Sequence, residues 1–479
     1  MTGRFLSGEG KIATILPCYK IFNEGLAKIC RQNRIRFGSA RFFKGDFMNE
    51  IKDYIVYPEN LEIYTPPTIP AKQDSRYKWL AHTLCSFILK FVVRGGSTIE
   101  KINMEGLKPP YILLCNHTQF ADFIVSFKAV HPYKFNNIST LDGYVGMVKP
   151  MEKLGCACHR KFTTDISLIR ACHKVLHEYG DILCMYPEAR YSNIGTTALI
   201  PGVVGKLVKK NRVPVVIMLH HGHYLNAPFW NFRKHRKTPF HATMKQVLTV
   251  EDIDTMNIDE INEVIQREMY YDEYEWQKEN NIRITEDFRA EGLNKVLYKC
   301  PHCHAEGKMS SQGINLFCEE CGKKWELTEL GELQASEGET EFSHAPDWYE
   351  WQRECVRKEI LDGTYYFEDT VHVHSLPGSE FIDLGEAKVT HDLKNGFVIE
   401  GHYNGHDYRI QRAAKTLYSL HIEFDFGKLN KTDNFDVSIK NDSLYCIPSK
   451  KDVVTKLMLA TEEMYKIVNQ KKELATAKE

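Results

Sequence analysis

Hydrophobic and polar positions along the chain change period several times, and each change marks a new kind of element. Short unbroken apolar runs at 111–115, 182–186 and 213–219 have the length and composition of buried strands. Between the first two, Ile166, Ile169, Cys172, Leu176 and Tyr179 recur at helical spacing across 163–179, and Gly180 supplies a stop signal. A further helix is predicted at 201–211. Strands alternating with helices imply an α/β sheet flanked by helices, with reactive groups gathered at the carboxyl ends of the strands. Upstream, Trp79, Leu80, Leu84, Phe87, Ile88 and Phe91 also fall at helical spacing. They suit a helix packed on the next domain or, as the rival reading, one laying its apolar face into a membrane interface. Residues 1–76 mix basic and aromatic positions, carry a Pro-rich breaker at 65–70, and suggest no function.

Farther on, 257–280 reads as a polar helical connector with Ile258, Ile261, Val264, Ile265 and Met269 on one side. Residues 331–346, rich in Glu, Gly and Ser, read as a flexible linker. Alternating runs such as 397–403 and 420–426, with turn signals at Asn395-Gly396 and Asn404-Gly405, predict antiparallel strands within 365–448. A helix at 452–468 follows, with Val453, Leu457, Ala460, Met464 and Val468 on one face. By element order, this mainly-β part resembles the pleckstrin-homology-like architecture, whose usual roles are binding of lipid headgroups or peptides.

Composition narrows the class. At 479 residues, 43% hydrophobic and 26% charged, the chain is expected to be globular, with two or three cored domains. A formal net charge of −1 argues against a dedicated nucleic-acid binder, so no nucleic-acid partner is expected. Basic clusters at 206–212 and 233–237 read as solvated surface, with contact to anionic lipid headgroups as the sharper alternative. No stretch reaches the roughly 18–20 apolar residues that span a bilayer, since the best candidate, 79–93, is broken by His82 and Lys90. The first ten residues lack the apolar core of a signal peptide. Most of the fourteen cysteines are scattered like buried thiols in a reducing compartment. The expected location is cytoplasmic, with peripheral membrane attachment as an option.

Two cysteine pairs stand apart from that scatter. Cys300 and Cys303, then Cys318 and Cys321, each keep a two-residue gap and are separated by the length of a short hairpin. That is the spacing of a tetrahedral Zn²⁺ site. Four protein ligands leave no open position, so the metal is expected to be structural. His302 and His304 fall outside the pattern.

A second constellation follows the first apolar run, where His117 precedes Asp122 by five residues. On one regular helix those side chains would stand about 140° apart. They meet only if His117 sits in the turn after a strand and Asp122 in the first turn of the next helix, where the dipole favours a carboxylate.

Asn116-His117-x-x-x-x-Asp122 resembles the first motif of the glycerolipid acyltransferases, the family of the 1-acyl-glycerol-3-phosphate and lysophospholipid acyltransferases. Gly155-Cys-Ala-Cys-His-Arg160 is similar to the second motif, Tyr186-Pro-Glu-Ala-Arg-Tyr-Ser192 to the third, and Val213-Pro-Val-Val-Ile-Met-Leu219 to the fourth, in the family's order. The third departs from the pattern: Ala189 replaces the usual glycine, and the arginine comes one position early as Arg190, with Tyr191 in its usual place.

The resemblance implies an acyltransferase acting in phospholipid and lipid metabolism. It implies transfer of a fatty acyl group from a thioester, acyl-CoA or acyl carrier protein, to a hydroxyl of a glycerol-phosphate or lysophospholipid at a membrane surface. A free imidazole, with pKa about 6.5, is largely neutral at pH 7 and can take an alcohol's proton. His117 is therefore expected as general base and Asp122 as its orienting carboxylate. Asn116, Arg160, Glu188 and Arg190 are the substrate-binding candidates. A catalytically silent lipid-binding or scaffolding protein on the same fold is the rival from a different class. Other patterns fall away: the glycines at 8–13 have no strand before them, those at 202–205 have the wrong spacing for a phosphate loop, and no Gly-x-Ser-x-Gly elbow exists. The expected division is an N-terminal segment (1–76), an acyltransferase domain (77–250), a helical connector (251–298), a zinc ribbon (299–330), a linker (331–346), a β domain with its helix (347–470) as the candidate for a protein or lipid partner, and a tail (471–479).

Overall fold

Seven strands build the central sheet: β1 (Ser97–Ile102), β2 (Ile112–Cys115), β3 (Phe135–Thr140), β4 (Ala157–His159), β5 (Ile182–Met185), β6 (Val215–His221) and β7 (Phe240–Leu248). The computed structural model that supplies them describes residues 55–476, apart from 59–60, 62, 74, 93–96 and 164. The segment 1–54, with the glycine pattern at 8–13, lies outside the described residues. The spatial order is β1-β7-β6-β2-β5-β3-β4. Strands β2 to β6 are parallel, β7 runs antiparallel to β6, and β1 is parallel to β7.

Strand β2 lies at the centre with all four side chains buried, which is why it reads as an unbroken apolar run. Its odd positions Leu113 and Cys115 join Val216 and Met218 in one core with the helix Ala121–Val130. Ile112 and Leu114 join Val215 and Ile217 on the other face, covered by the helix Val203–Asn211 and by Ile261, Ile265 and Met269. The expected helix at 163–179 is an α-helix, Ile166–His173, continued by a π-helical turn, Lys174–Tyr179, and closed by Gly180 at φ 66°.

The connector expected at 257–280 is instead two helices, and the first belongs to the sheet's covering layer. Asn257 and Glu260 form a capping box at the start of Ile258–Met269, whose buried Ile261, Ile265 and Met269 pack on the sheet. The chain breaks at 270–272, and Asp272 caps Glu273–Glu279 by accepting the N–H groups of Tyr274 and Glu275. The polar outer face of the first helix dominated its composition and hid its role.

The linker expected at 331–346 is also structured. Strands β8 (Met309–Gln312), β9 (Asn315–Cys318), β10 (Lys324–Leu327) and β11 (Leu333–Ala335) form an antiparallel sheet in the order β11-β10-β9-β8. The polar residues that suggested flexibility bind this sheet: Trp325 Nε1 and Lys323 Nζ both donate to Glu341, at 3.1 and 2.7 Å, and Leu333 N donates to Ser343 O at 2.7 Å. A helix that the sequence reading lacked, Ala345–Leu361, follows. It buries Trp348, Gln352, Val356 and Ile360 at spacings of four.

Seven antiparallel strands complete the molecule: β12 (Phe367–Ser375), β13 (Ile382–Asp392), β14 (Gly396–Tyr403), β15 (His406–Arg412), β16 (His421–Phe426), β17 (Thr432–Ser438) and β18 (Ser443–Pro448), in the order β15-β14-β13-β12-β18-β17-β16. The helix Val454–Thr476 follows and packs Leu457 and Met464 into the same core as Val373 and Phe435. That core runs on through Trp348 and Val356 to Trp325 and Leu316. Residues 53–479 accordingly form one compact unit, with the ribbon and the β sheet sharing one apolar interior. No helix among the described residues is long and apolar enough to cross a membrane.

Candidate active site

Three neighbouring parallel strands, β6, β2 and β5, end side by side, and the residues just beyond each carry the candidate chemistry. After β2 the chain turns and enters the helix Ala121–Val130, placing Asp122 in its first turn. His117 Nδ1 lies 3.0 Å from Asp122 Oδ2. Asp122 is fully buried, and its Oδ2 also accepts the backbone N–H groups of Thr118 at 2.6 Å and Gln119 at 2.9 Å. These bonds make the turn and orient the carboxylate in one step. Burial opposes the charge on Asp122, yet neighbouring His220 and the hydrogen bonds from His117 and His223 hold its carboxyl well below the ordinary range.

The sequence reading missed the contribution of β6. His223 Nδ1 lies 2.6 Å from Asp122 Oδ1, so one carboxylate serves two imidazoles. Exposure separates their roles: the His223 side chain is fully buried, whereas that of His117 is 20% exposed. Of the two imidazoles, that of His117 is the one open to solvent. The signal for His223 was present as three histidines, 220, 221 and 223, crowded at the end of the fourth motif. His220 is also buried, and burial pushes its imidazole down to about 3. Asn116 ties β2 to β6, its amide donating to His220 O at 3.1 Å and accepting from His220 N at 2.7 Å. Both ends of that side chain bond the backbone of His220, and Oδ1 also lies 3.0 Å from the Nδ1 of its ring.

The loop after β5 closes the site from the other side. Ser192 N donates to His117 O at 2.7 Å, and the His117 ring stacks on Tyr186 at 4.0 Å and lies 4.3 Å from Tyr191. Two aromatic rings and a carboxylate bond therefore fix the imidazole. Ala189 has φ 55°, the left-handed region where glycine is at ease, which explains the residue usual at that point of the motif. Glu188 is buried; its Oε2 accepts from Ala198 N at 2.8 Å and its Oε1 lies 3.4 Å from His117 N. Burial pushes its carboxyl up to about 7, against the pull of the Ala198 N–H and Arg190.

The two arginines are engaged with the β domain. Arg190 is buried and donates to Glu462 Oε1 on the C-terminal helix at 2.9 Å. Arg160 donates to Pro377 O, in the connection from β12 to β13, at 2.5 Å. The structure thus brings Asn116, His117, Asp122 and Glu188 together, whereas the guanidinium groups of Arg160 and Arg190 bridge to the neighbouring sheet and helix.

The second constellation lies in the ribbon. The Sγ atoms of Cys300, Cys303, Cys318 and Cys321 all lie within 4.8 Å of one another, a group that could hold a metal ion. Cys300 and Cys321 are 3.8 Å apart, and Cys303 and Cys318 are 3.7 Å apart. A tetrahedron with metal–sulfur bonds of about 2.3 Å has edges of about 3.8 Å, so the spacing fits.

No protein-family model matches this chain, and no curated protein matches it. Among solved structures, the chain is similar to a 1-acyl-sn-glycerophosphate (LPA) acyltransferase from Thermotoga maritima, at 14% identity over 40% of this chain and 78% of that one, with a TM-score of 0.33.

Proposed function

We propose that the protein is an O-acyltransferase of the glycerolipid type, moving a fatty acyl group from a thioester donor to a lipid-borne alcohol. The observation that carries this reading is the partly exposed His117 bonded through Nδ1 to buried Asp122 at the end of the central strand. With Nδ1–H donated to the carboxylate, the lone pair of Nε2 is left to take a proton. The acceptor oxygen would attack the thioester carbonyl carbon as Nε2 removes its proton. The carbon–sulfur bond then breaks, and the imidazolium returns the proton to the departing thiolate. Acyl-CoA or acyl carrier protein supplies the thioester, and a glycerol-phosphate or lysophospholipid supplies the hydroxyl. Exposed Leu80, Leu84 and Phe87 on one face of the helix Ser75–Val92 support peripheral attachment to the membrane holding that substrate. The four thiolates are read as holding a structural Zn²⁺, and the seven strands with their closing helix as a pleckstrin-homology-like module.

One observation favours the rival reading, a silent lipid-binding or scaffolding module: Arg190 and Arg160 already have partners in the β domain. His117→Ala separates the two in an assay of labelled acyl donors with lysolipid acceptors. Turnover should fall by at least about 10²-fold while folding and lipid binding persist. Wild-type protein without transfer to any acceptor, or a variant as active as wild type, would sink the enzymatic reading.

A further inference from the structure

We propose that the outer face of the hairpin β12–β13 carries a second metal site, made by His372, His374 and Asp383, that takes a borderline divalent ion such as Zn²⁺. This inference does not depend on acyl transfer. His372 and His374 are two apart on β12 and so share a face, while Val371 and Val373 between and beside them are buried in the core. Their rings lie 4.9 Å apart.

The third ligand is brought in by a break in register. Val373 pairs with Gly385 but His374 pairs with Asp383, so Leu384 has no cross-strand partner. This bulge keeps Leu384 in the core, at 3% exposure, and turns the Asp383 carboxylate outward beside both imidazoles. Gly385, at φ 78°, accommodates the kink, and its N–H donates to Asp383 Oδ1 at 2.8 Å, holding the carboxylate in place. His372 Nε2 lies 2.7 Å from that same oxygen, a shared proton that a metal ion would replace.

One ligand atom from each residue lies within 4.8 Å of the others. A tetrahedral site with bonds of about 2.0–2.1 Å has edges of about 3.4 Å, so the 2.7 Å contact of His372 with Asp383 must open slightly and the longer separations, none above 4.8 Å, close by at most about 1.4 Å. The His372 side chain is 42% exposed, which leaves the imidazole room to swing while the Gly385 N–H holds the carboxylate. Two imidazole nitrogens select zinc-like ions over Ca²⁺ or Mg²⁺, and a three-residue set leaves a position for water or an added ligand. Pro377, whose carbonyl receives Arg160, is three residues beyond His374, so a bound ion would also stiffen the hairpin that holds this arginine.

Equilibrium dialysis of the full-length chain against Zn²⁺, with metal and protein both quantified, tests the site. Wild type should saturate at about two ions per chain, and His372→Ala combined with Asp383→Asn at about one. Co²⁺ added to protein carrying one Zn²⁺ per chain should give visible d–d bands without the intense near-ultraviolet thiolate absorption, and the double variant should lack them. Both substitutions are on the surface, and circular dichroism verifies the fold. Equal zinc content in wild type and the double variant would overturn the proposal.

Discussion

Asp122 is the residue on which the site is organised. It accepts two backbone N–H groups of its own turn and bonds two histidines that follow two different strands. Replacing it with Asn keeps the size but puts an amide donor where an acceptor is needed, which favours the wrong tautomer of His117. Asp122→Asn should therefore lower kcat by about 10²–10⁴-fold with KM for the acyl donor little changed, measured as initial rates on protein whose fold is verified by circular dichroism. An unchanged kcat would remove Asp122 from the mechanism. The one-residue shift in the third motif, legible in the sequence, had an outcome that the sequence alone left open: Tyr191 lies beside the imidazole and Arg190 reaches Glu462.

Among elements, the C-terminal helix does more than close the β sheet. Glu462 accepts from Arg190, from Arg353 Nη1 at 2.6 Å and from Ser419 at 2.7 Å, joining three parts of the chain at one buried carboxylate. Burial opposes its charge, but the guanidinium groups of Arg190 and Arg353 hold it down to about 2. A carboxyl whose folded pKa is depressed contributes stability above its unfolded pKa, near 4.5, and loses it as pH falls towards the folded value. Glu462→Gln should cost about 3 kcal/mol at pH 7 by chemical denaturation, and the gap from wild type should narrow between about pH 4.5 and 2. A gap that stays constant across that range would mean that the ion pairs contribute nothing. The partnership was invisible beforehand because Glu462 and Arg190 are far apart in sequence and only packing joins them.

At the scale of the whole molecule, the ribbon is part of the main interior. Trp325 and Trp348 meet with ring centroids 4.9 Å apart, Trp348 Nε1 donates to Lys299 O at 2.9 Å, and Gln352 bonds both Lys299 N and Val296 O at 2.9 Å. Losing a metal that folds the ribbon should therefore loosen the helix Ala345–Leu361 as well. Chelation or Cys318→Ser should raise amide hydrogen exchange across 296–361, with β2 and β6 still protected. Exchange confined to 300–321 would show that the shared core is not energetically coupled.

The sequence by itself determined the strands with one kind of neighbour. β2, β5 and the first five residues of β6 lie between two covered faces and so are apolar, and the cysteine pairs need only local turns to come together. The His117–Asp122 pair was legible for the same reason, since both ends lie in one turn. Tertiary structure alone decided what depends on distant partners: the second histidine on Asp122, the destination of Arg190, the ordering of 331–346 by Lys323 and Trp325, and the use of a mostly polar helix to cover the sheet. Local pattern reports which face of an element is apolar, but only the folded chain determines what meets that face and which charges it brings together.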